Sequence, residues 1–199
     1  FEETLMEALE QVVDKPKVTG LLEQIDEIRE YVGHNQTATT QLKGISHALR
    51  TQSRSESSPT EGVALTDVLE EALLLCSGKL KRWTVTKDIV ETDGVTCYRS
   101  QIGQVLTNLV SNAADAVGEK AQNLRDAGQS HRGEISISIQ DSIVDGIDGV
   151  ATTISDNGDG VSEADQSKLF DEFFTTKEAG MGTGLGLSVS MKLAQENGG

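Results

Sequence analysis

Basic residues, aromatic residues and long apolar runs are all scarce in this sequence. Asp and Glu number 32 against 17 Lys and Arg, giving a formal net charge of −15, and no window concentrates the basic residues. We therefore expect no nucleic acid partner, because gripping a phosphate backbone requires a patch of positive charge. No segment reaches the roughly 20 consecutive apolar residues of a membrane-spanning helix. Any membrane attachment would have to come from segments upstream of residue 1.

Cysteine is also rare. The chain has two, Cys76 and Cys97, and they do not form a Cys-x-x-Cys pair. This usage is typical of buried, reduced thiols in a cytoplasmic protein, with a disulfide or a metal role as the alternative. We expect a cytoplasmic location.

Residues 1–56 carry the pattern of a helical hairpin. In its second part, residues 21–54, which we expect to be one long helix or two helices joined by a frayed middle, apolar side chains recur at alternating steps of three and four, beginning with Leu21, Ile25 and Ile28. So narrow a stripe is stable only against partner helices. We predict that the hairpin forms part of a dimeric four-helix bundle. The Ser-rich residues 57–62 predict a linker.

Residues 63–199 alternate helix and strand patterns and are predicted to form a second domain. The segments "EISISIQ" (134–140) and "VATTISD" (150–156) alternate apolar and polar residues and are predicted to pair as a hairpin. Two further strands are predicted at 83–90 and 95–98, with Asp93-Gly94 as a turn between them. The whole pattern predicts an α+β fold, a two-layer sandwich with one sheet and helices on one face.

Two helices are predicted among these strands. Thr66 is placed to cap the first, and Ser100 is placed to cap the second, which runs to about Val117. The apolar stripes are Leu69, Leu73, Cys76 and Leu80 on the first helix, and Ile102, Leu106, Leu109 and Ala113 on the second.

The second helix also carries two asparagines. Asn108 and Asn112 lie four residues apart, beside Asp115 and about a quarter-turn from the apolar stripe. Asn is a poor helix former, so its presence needs a reason. One reason is an ordinary solvated face. The other is an amide-oxygen ligand for Mg²⁺, whose remaining ligands would be waters and phosphate oxygens.

A glycine-rich turn follows the last predicted strand. In "DNGDGV" (156–161), Asp156 ends the strand and Gly158 and Gly160 follow it. Glycines there let a flat ligand approach the backbone while the carboxylate accepts a hydrogen bond from it. An ordinary tight turn is the alternative.

The last two motifs are rich in Phe and Gly. "LFDEFFTTK" (169–177) contains Phe170, Phe173 and Phe174, of which we expect at least one in the core, and its Thr and Lys residues could meet phosphate oxygens. "GMGTGLGLSVS" (180–190) leads into a helix whose first N–H groups and dipole favour an anion such as a triphosphate. A flexible loop is the alternative. A dinucleotide-binding loop would need a preceding strand, which the sequence does not offer.

In this order, the four motifs resemble the N box, first glycine box, F box and second glycine box of bacterial two-component sensor histidine kinases, which have a Bergerat-type ATP-binding fold. The resemblance covers roughly residues 63–199. It implies Mg-ATP binding, with Asn112 as the magnesium ligand, Asn108 as a phosphate contact and Asp156 as acceptor for the adenine amine. The nucleotide-binding residues that it implies are Asn108, Asn112, Asp115, Asp156, Gly158, Gly160, Phe174, Thr175, Thr176, Lys177, Gly182, Thr183, Gly184, Leu185, Gly186 and Leu187.

The resemblance also implies the reaction. The γ-phosphoryl group would pass from ATP to a histidine and then to an aspartate in the receiver domain of a response regulator, within a homodimer formed by the hairpin. His34 and His47 lack the acid and the proline that follow the family's acceptor histidine. We therefore expect the acceptor upstream of residue 1 and no catalytic residue in this chain, which would bind nucleotide without phosphorylating itself.

Some features depart from the family pattern. Asp115-Ala116 stands where many of these kinases have a basic residue and an aromatic one, a variant that we associate with the nitrogen-regulator-like branch, and this puts a basic phosphate contact from the helix in doubt. The chain stops at "ENGG", where the family usually adds two strands, so a sheet edge would be exposed. The resemblance implies a lid at residues 180–186, and we expect the segment "KEAGMGTG" (177–184) to be mobile without nucleotide. A catalytically silent ATP-binding or dimerisation module, or another ATPase or serine kinase of the superfamily, stays open as an alternative.

Overall fold

The computed structural model describes residues 58–144, 146–177 and 182–199, together with residues 20, 22, 24–29, 31–32 and 35. The chain divides into two compact units. The larger comprises His47–Thr175 and Gly184–Gly199, and the smaller comprises Phe1–Ser46 and Thr176–Thr183. Each unit is described by itself.

In the smaller unit, the described residues between 20 and 35 are helical. Three side chains of the predicted stripe are exposed there: Ile25 at 39%, Ile28 at 59% and Val32 at 49%. The rest of the predicted hairpin, with His34 and His47, lies outside the described residues. The dimeric bundle therefore stays a prediction.

The larger unit contains short strands, three longer helices and a long β-hairpin. In chain order its elements are β1 (Thr60–Val63), α1 (Leu65–Leu75), α2 (Ser77–Leu80), β2 (Thr84–Ile89), β3 (Val95–Cys97), α3 (Arg99–Asp126), β4 (Glu134–Val144), β5 (Ile147–Asp156), α4 (Glu163–Gln166) and α5 (Gly186–Glu196). Strand β1 begins inside the segment predicted as a linker, because its residues pair with β3.

The strands form two sheets rather than the single predicted sheet. The larger sheet has the order β2-β4-β5, and β1 pairs with β3 in the smaller one. The predicted hairpin of 134–140 with 150–156 is confirmed and is longer than expected, with antiparallel pairs from Ile135↔Asp156 to Val144↔Ile147. Strand β2 lies parallel to β4 on the other side, with Thr84 opposite Glu134. The start of β2 and the end of β5 therefore lie beside Glu134, at the same end of the sheet.

The predicted turn at Asp93-Gly94 does not join β2 to β3, since these strands belong to different sheets. Strand β2 instead pairs with β4 across the helical connection α3, as parallel neighbours require. Gly94 has a different role, because a Cβ atom there would lie 2.5 Å from the carbonyl carbon of Gly62. Its glycine permits the close approach of the β1 and β3 backbones.

Both predicted helix caps are wrong. Helix α1 has Ala64 at its N-cap position, so Thr66 lies inside the helix. Helix α3 begins at Arg99 after Tyr98, and it continues past Val117 to Asp126. The amide of Tyr98 donates to Asn197 Oδ1 at 2.7 Å. The backbone N–H group that precedes α3 is thus satisfied by a side chain distant in sequence. No local pattern could reveal this contact.

The core lies between the three-stranded sheet and the helices α1 and α3. Ile135, Ile137 and Ile139 of β4 are almost completely buried, as their alternation predicts. The predicted stripe of the first helix is buried as well, although the helix breaks after Leu75. On α3, the most buried side chains are Val110 and Val117, whereas the predicted Ile102 and Leu109 are half-buried. The predicted two-layer α/β sandwich is confirmed.

The Phe-rich segment does not enter this core, contrary to the prediction. Phe170 is 48% exposed and Phe173 is 70% exposed, and Phe174 is half-buried. The core is closed by aliphatic side chains and by Trp83 instead. Both cysteines are buried and neither forms a disulfide, as expected.

Candidate functional site

Helix α3 connects the two glycine motifs of the larger unit through one of its faces. Asn108, Asn112 and Ala116 follow one another at steps of four, so each lies about 40° around the helix from the last. Asn108 contacts the start of α5, where its Nδ2 donates to Ser190 Oγ at 2.8 Å. Ala116 contacts the loop after β5, since a Cβ atom on Gly158 would lie 2.8 Å from its Cβ. The half-buried Asn112 therefore lies between two observed contacts.

The loop after β5 holds Asp156 in a defined orientation. Its Oδ1 accepts a hydrogen bond from the amide of Gly158 at 2.8 Å, and the residue is exposed. One carboxylate oxygen thus fixes the turn, while the other can accept from a ligand. Gly158 has no room for a side chain, because a Cβ atom would also lie 2.7 Å from Asp156 Oδ1. Gly160, with φ of +72°, needs the conformational freedom of glycine.

Two residues that the sequence analysis missed anchor this loop. Lys120 Nζ donates to the carbonyl oxygens of Asn157 at 2.9 Å and of Gly158 at 3.2 Å. Asn157 Oδ1 accepts from the amide of Glu134 at 2.9 Å, and its Nδ2 donates to the carbonyl of Arg132 at 2.9 Å. Continuing the helical pattern past Val117 would have placed Lys120 one turn beyond Ala116, on the side of this loop.

The second glycine motif ends in a helix N-terminus, as the sequence predicts. Helix α5 begins at Gly186, and its N-cap residue Leu185 makes no side-chain cap. The first amides of the helix, including that of Leu187, have no intrahelical acceptor. They favour an anion together with the helix dipole. Gly186 lies against Asn108, because a Cβ atom there would be 2.7 Å from Asn108 Oδ1.

Phe173 and Gly184 bring the two ends of the predicted lid together. The amide of Phe173 donates to the carbonyl oxygen of Gly184 at 2.9 Å. Both residues have left-handed backbone conformations, with φ of 68° and 64°, and Phe173 is the only non-glycine residue of the described ranges that does. Residues 178–181, the centre of the predicted lid, lie outside the described residues. Whether the lid moves therefore stays a prediction.

Asp115 faces a lysine from another helix. Its Oδ1 accepts from Lys79 Nζ at 2.6 Å, and the same ammonium donates to Ser111 Oγ at 2.8 Å. Lys79 belongs to α2 and is half-exposed. Close to this pair, burial raises the pKa of the Cys76 thiol, while Lys79 acts to lower it and Asp115 to raise it. The Cys76 thiol donates to the carbonyl oxygen of Thr107 at 3.5 Å, which makes it an inert structural group.

The predicted binding residues lie in several parts of the structure. Asn108 and Asn112 lie on α3, Asp156 and Gly158 lie at the end of β5 and in the loop that meets Ala116, and Leu185, Gly186 and Leu187 form the start of α5. Gly160, Phe174, Thr175 and Gly184 lie in the adjoining loops of the larger unit, and Asp115 joins Lys79. Thr176, Lys177, Gly182 and Thr183 belong to the smaller unit.

Two kinds of feature are absent from the residues that the structure describes. No group of three or more His, Cys, Asp or Glu side chains there is arranged to hold a metal ion. None of the helices described is long and apolar enough to cross a bilayer.

Residues 97–199 match the family described as Histidine kinase-, DNA gyrase B-, and HSP90-like ATPase. The chain is 31% identical over 183 residues to the C4-dicarboxylate transport sensor protein DctB of Pseudomonas aeruginosa, covering 90% of this chain and 26% of that protein. It is also 31% identical over 144 residues to the signal transduction histidine-protein kinase AtoS of Escherichia coli, covering 71% and 21%. The chain therefore spans about a quarter of the length of such relatives.

A solved structure gives the same picture of the fold. The nucleotide-free catalytic domain of the histidine kinase ThkA matches with a TM-score of 0.55 and 29% sequence identity, over 70% of this chain and 82% of that one.

Proposed function

The chain belongs to the family of histidine kinase-, DNA gyrase B- and HSP90-like ATPases, and we propose that it is the ATP-binding core of a two-component sensor histidine kinase. The observation that carries the proposal is the single face of α3, which meets an acidic, glycine-rich loop at one end and the uncapped start of α5 at the other. The first end suits a flat base with an amino group. The second suits a polyphosphate.

At the adenine end, the free oxygen of Asp156 accepts a hydrogen bond from the exocyclic amine. The other oxygen is held by the amide of Gly158, so the carboxylate does not have to reorient on binding. A side chain at Gly158 would overlap Ala116, so glycine lets the loop lie directly against α3 beside the base. Lys120 attaches the loop to α3, and Asn157 attaches it to the start of β4.

At the phosphate end, the first amides of α5 donate to phosphate oxygens, and Asn108 adds a side-chain donor or acceptor beside them. Asn112 would supply one amide oxygen to Mg²⁺. A single protein ligand fits this ion, because Mg²⁺ usually keeps several waters and takes its other ligands from phosphate. Magnesium, when bound, neutralises part of the polyphosphate charge. From the family resemblance alone, we propose phosphate-binding roles for Thr175, Thr176 and Lys177 and a lid role for residues 180–186.

The protein then acts chiefly by positioning and by excluding water, which suits phosphoryl transfer. We propose that the γ-phosphoryl group passes in line to a neutral histidine nitrogen upstream of residue 1, and from there to an aspartate of a response regulator. The exposed stripe of Ile25, Ile28 and Val32 supports dimerisation through the hairpin. We propose a cytoplasmic location for this part of the protein.

Titration of the full 199-residue chain with Mg-ATP tests the nucleotide site. Asp156→Asn should weaken Mg-ATP binding at least tenfold, because an amide presents a donor where the amine needs an acceptor. Asp148→Asn is the matched control, since Asp148 lies on the same strand at the far end of the hairpin, opposite Ile143. Equal affinity of the two variants would contradict the assignment of Asp156.

A chain extended upstream, incubated with ATP labelled at the γ-phosphate, tests the reaction. The proposal predicts acid-labile phosphohistidine on the extended chain and none on the present chain. Nucleotide binding without any transfer would indicate a silent signalling module, and acid-stable phosphoserine would indicate a serine kinase.

A further inference from the structure

The face of α3 between the two glycine motifs has no basic residue of its own. The basic residues of α3 are Arg99, Lys120 and Arg125, and none lies between positions 99 and 120. Arg99 is paired with Glu71 at 2.7 Å, and Lys120 is occupied by the carbonyl oxygens of the loop after β5. A polyphosphate on this face would therefore meet no cation from the helix, in a chain whose net charge is −15.

Lys79 of helix α2 places a positive charge beside that face. Lys79 Nζ lies 2.8 Å from Ser111 Oγ and 2.6 Å from Asp115 Oδ1. Ser111 and Asp115 are one helical turn apart, and Asn112 is three residues from Asp115. Side chains at such spacings are neighbours, with Cβ atoms about 5–6 Å apart. The ammonium is therefore held against the turn of α3 that carries Asn112.

The Lys79 ammonium can also donate a hydrogen bond to a ligand. It has three N–H donors, of which Ser111 and Asp115 take two. The Lys79 side chain is 49% exposed, whereas that of Asp115 is 27% exposed. The lysine is thus reachable from solvent, while its carboxylate partner lies deeper and holds it over α3.

We propose that Lys79 is a polyphosphate-binding residue of the nucleotide site, held in place by Asp115 and Ser111. This inference rests on the proposed function, because it takes the phosphates to lie along the α3 face near Asn112. Asp115 then has a defined role: it carries no phosphate contact itself and it positions the cation supplied by α2. The shared chemistry is a chain of phosphates, whether attached to a nucleoside or free.

Calorimetric titration of the full chain with Mg-ATP, adenosine and inorganic tripolyphosphate tests this. Lys79→Met should lower the affinity for Mg-ATP about tenfold, and that for tripolyphosphate similarly, while adenosine binding stays within about twofold of the unmodified chain. Lys87→Met is the matched control, since Lys87 forms a comparable ion pair with Glu70 at 2.5 Å on a different part of the unit. It should leave all three affinities unchanged.

Lys79→Gln serves as a second variant should the Met variant fail to fold. A Lys79 variant that binds Mg-ATP as tightly as the Lys87 control would overturn the inference. An equal loss for adenosine would also overturn it, because that result indicates a structural role. Failure of the proposed function is distinguishable, since it would appear in the unmodified chain as an absence of Mg-ATP binding.

Discussion

Replacing Gly184 by Ala should disrupt the contact that joins the two ends of the predicted lid. A Cβ atom there would lie 2.5 Å from the carbonyl oxygen and 2.6 Å from the Cα of Phe173. These are backbone atoms, so no side-chain rotation can relieve the overlap. The two segments would have to separate, and the 2.9 Å hydrogen bond from Phe173 to Gly184 would be lost.

The cost of this change has two parts. The left-handed backbone of Gly184, with φ of +64°, costs a non-glycine residue about 1–2 kcal/mol. The lost hydrogen bond adds about 1 kcal/mol, and the remaining overlap adds to that, so we expect a local cost of about 3 kcal/mol. Gly128→Ala is the matched control, because Gly128 has φ of +73° and open space around its Cβ position. It should cost only the backbone part.

Hydrogen exchange at the Phe173 amide is the direct assay, since a contact near the surface can open without unfolding the whole unit. In Gly184→Ala, protection of that amide should fall by about two orders of magnitude, which corresponds to about 3 kcal/mol. The free energy of global unfolding, followed through Trp83, the only tryptophan, should fall by the same amount or less. Unchanged protection at Phe173, or a loss of protection there no larger than in Gly128→Ala, would refute the reasoning.

Three further predictions concern side chains of the larger unit. Lys120→Met should weaken Mg-ATP binding several-fold by freeing the loop after β5, and Lys120→Arg should restore part of it in the same titration. Asn157→Ala should lower the free energy of unfolding by about 2 kcal/mol in a urea titration, because its side chain makes two hydrogen bonds to backbone groups of the sheet edge. Asn123→Ala, which removes only a 3.5 Å contact on the surface of α3, should cause no such loss, because Ala also favours a helix more than Asn does. Since the pKa of Cys76 is raised above its ordinary value of 9.0, the unfolded thiol ionises first as pH rises. The unfolded state then binds fewer protons, so stability should decline above about pH 9, and less steeply in Cys76→Ala. Equal slopes in both proteins would argue against a perturbed thiol.

The parts of the fold that the sequence predicted are those specified by local periodicity. Ile135, Ile137 and Ile139 alternate with polar residues, and that alternation identifies both a strand and its buried face. The start of a helix in the second glycine motif, at Gly186, is likewise a local signal. By contrast, the partner of β2 depends on a strand far along the chain, and no pattern in β2 itself distinguishes an adjacent hairpin from a distant parallel neighbour.

The predictions that failed, and the contacts that were not predicted, likewise depend on residues far apart in the chain. Asn197 satisfies the amide of Tyr98 from the far end of the chain, so Ser100 was a reasonable cap that the fold did not need. Phe170 and Phe173 are large apolar residues, yet their exposure depends on what packs beside them. The sequence motifs do not identify Lys79, because it lies on a short helix outside all of them. Only the packing of α2 on α3 brings it to Asp115.

The rigidity of α3 has a consequence for what can occupy both ends of its polar face at once. Asn108 and Ala116 are eight residues apart on one uninterrupted helix, which at 1.5 Å per residue separates their contacts by about 12 Å. A helix cannot shorten to suit a smaller molecule. Compounds much shorter than this span must therefore settle at one end or the other, so a nucleoside and a free phosphate chain should be able to bind side by side without displacing each other.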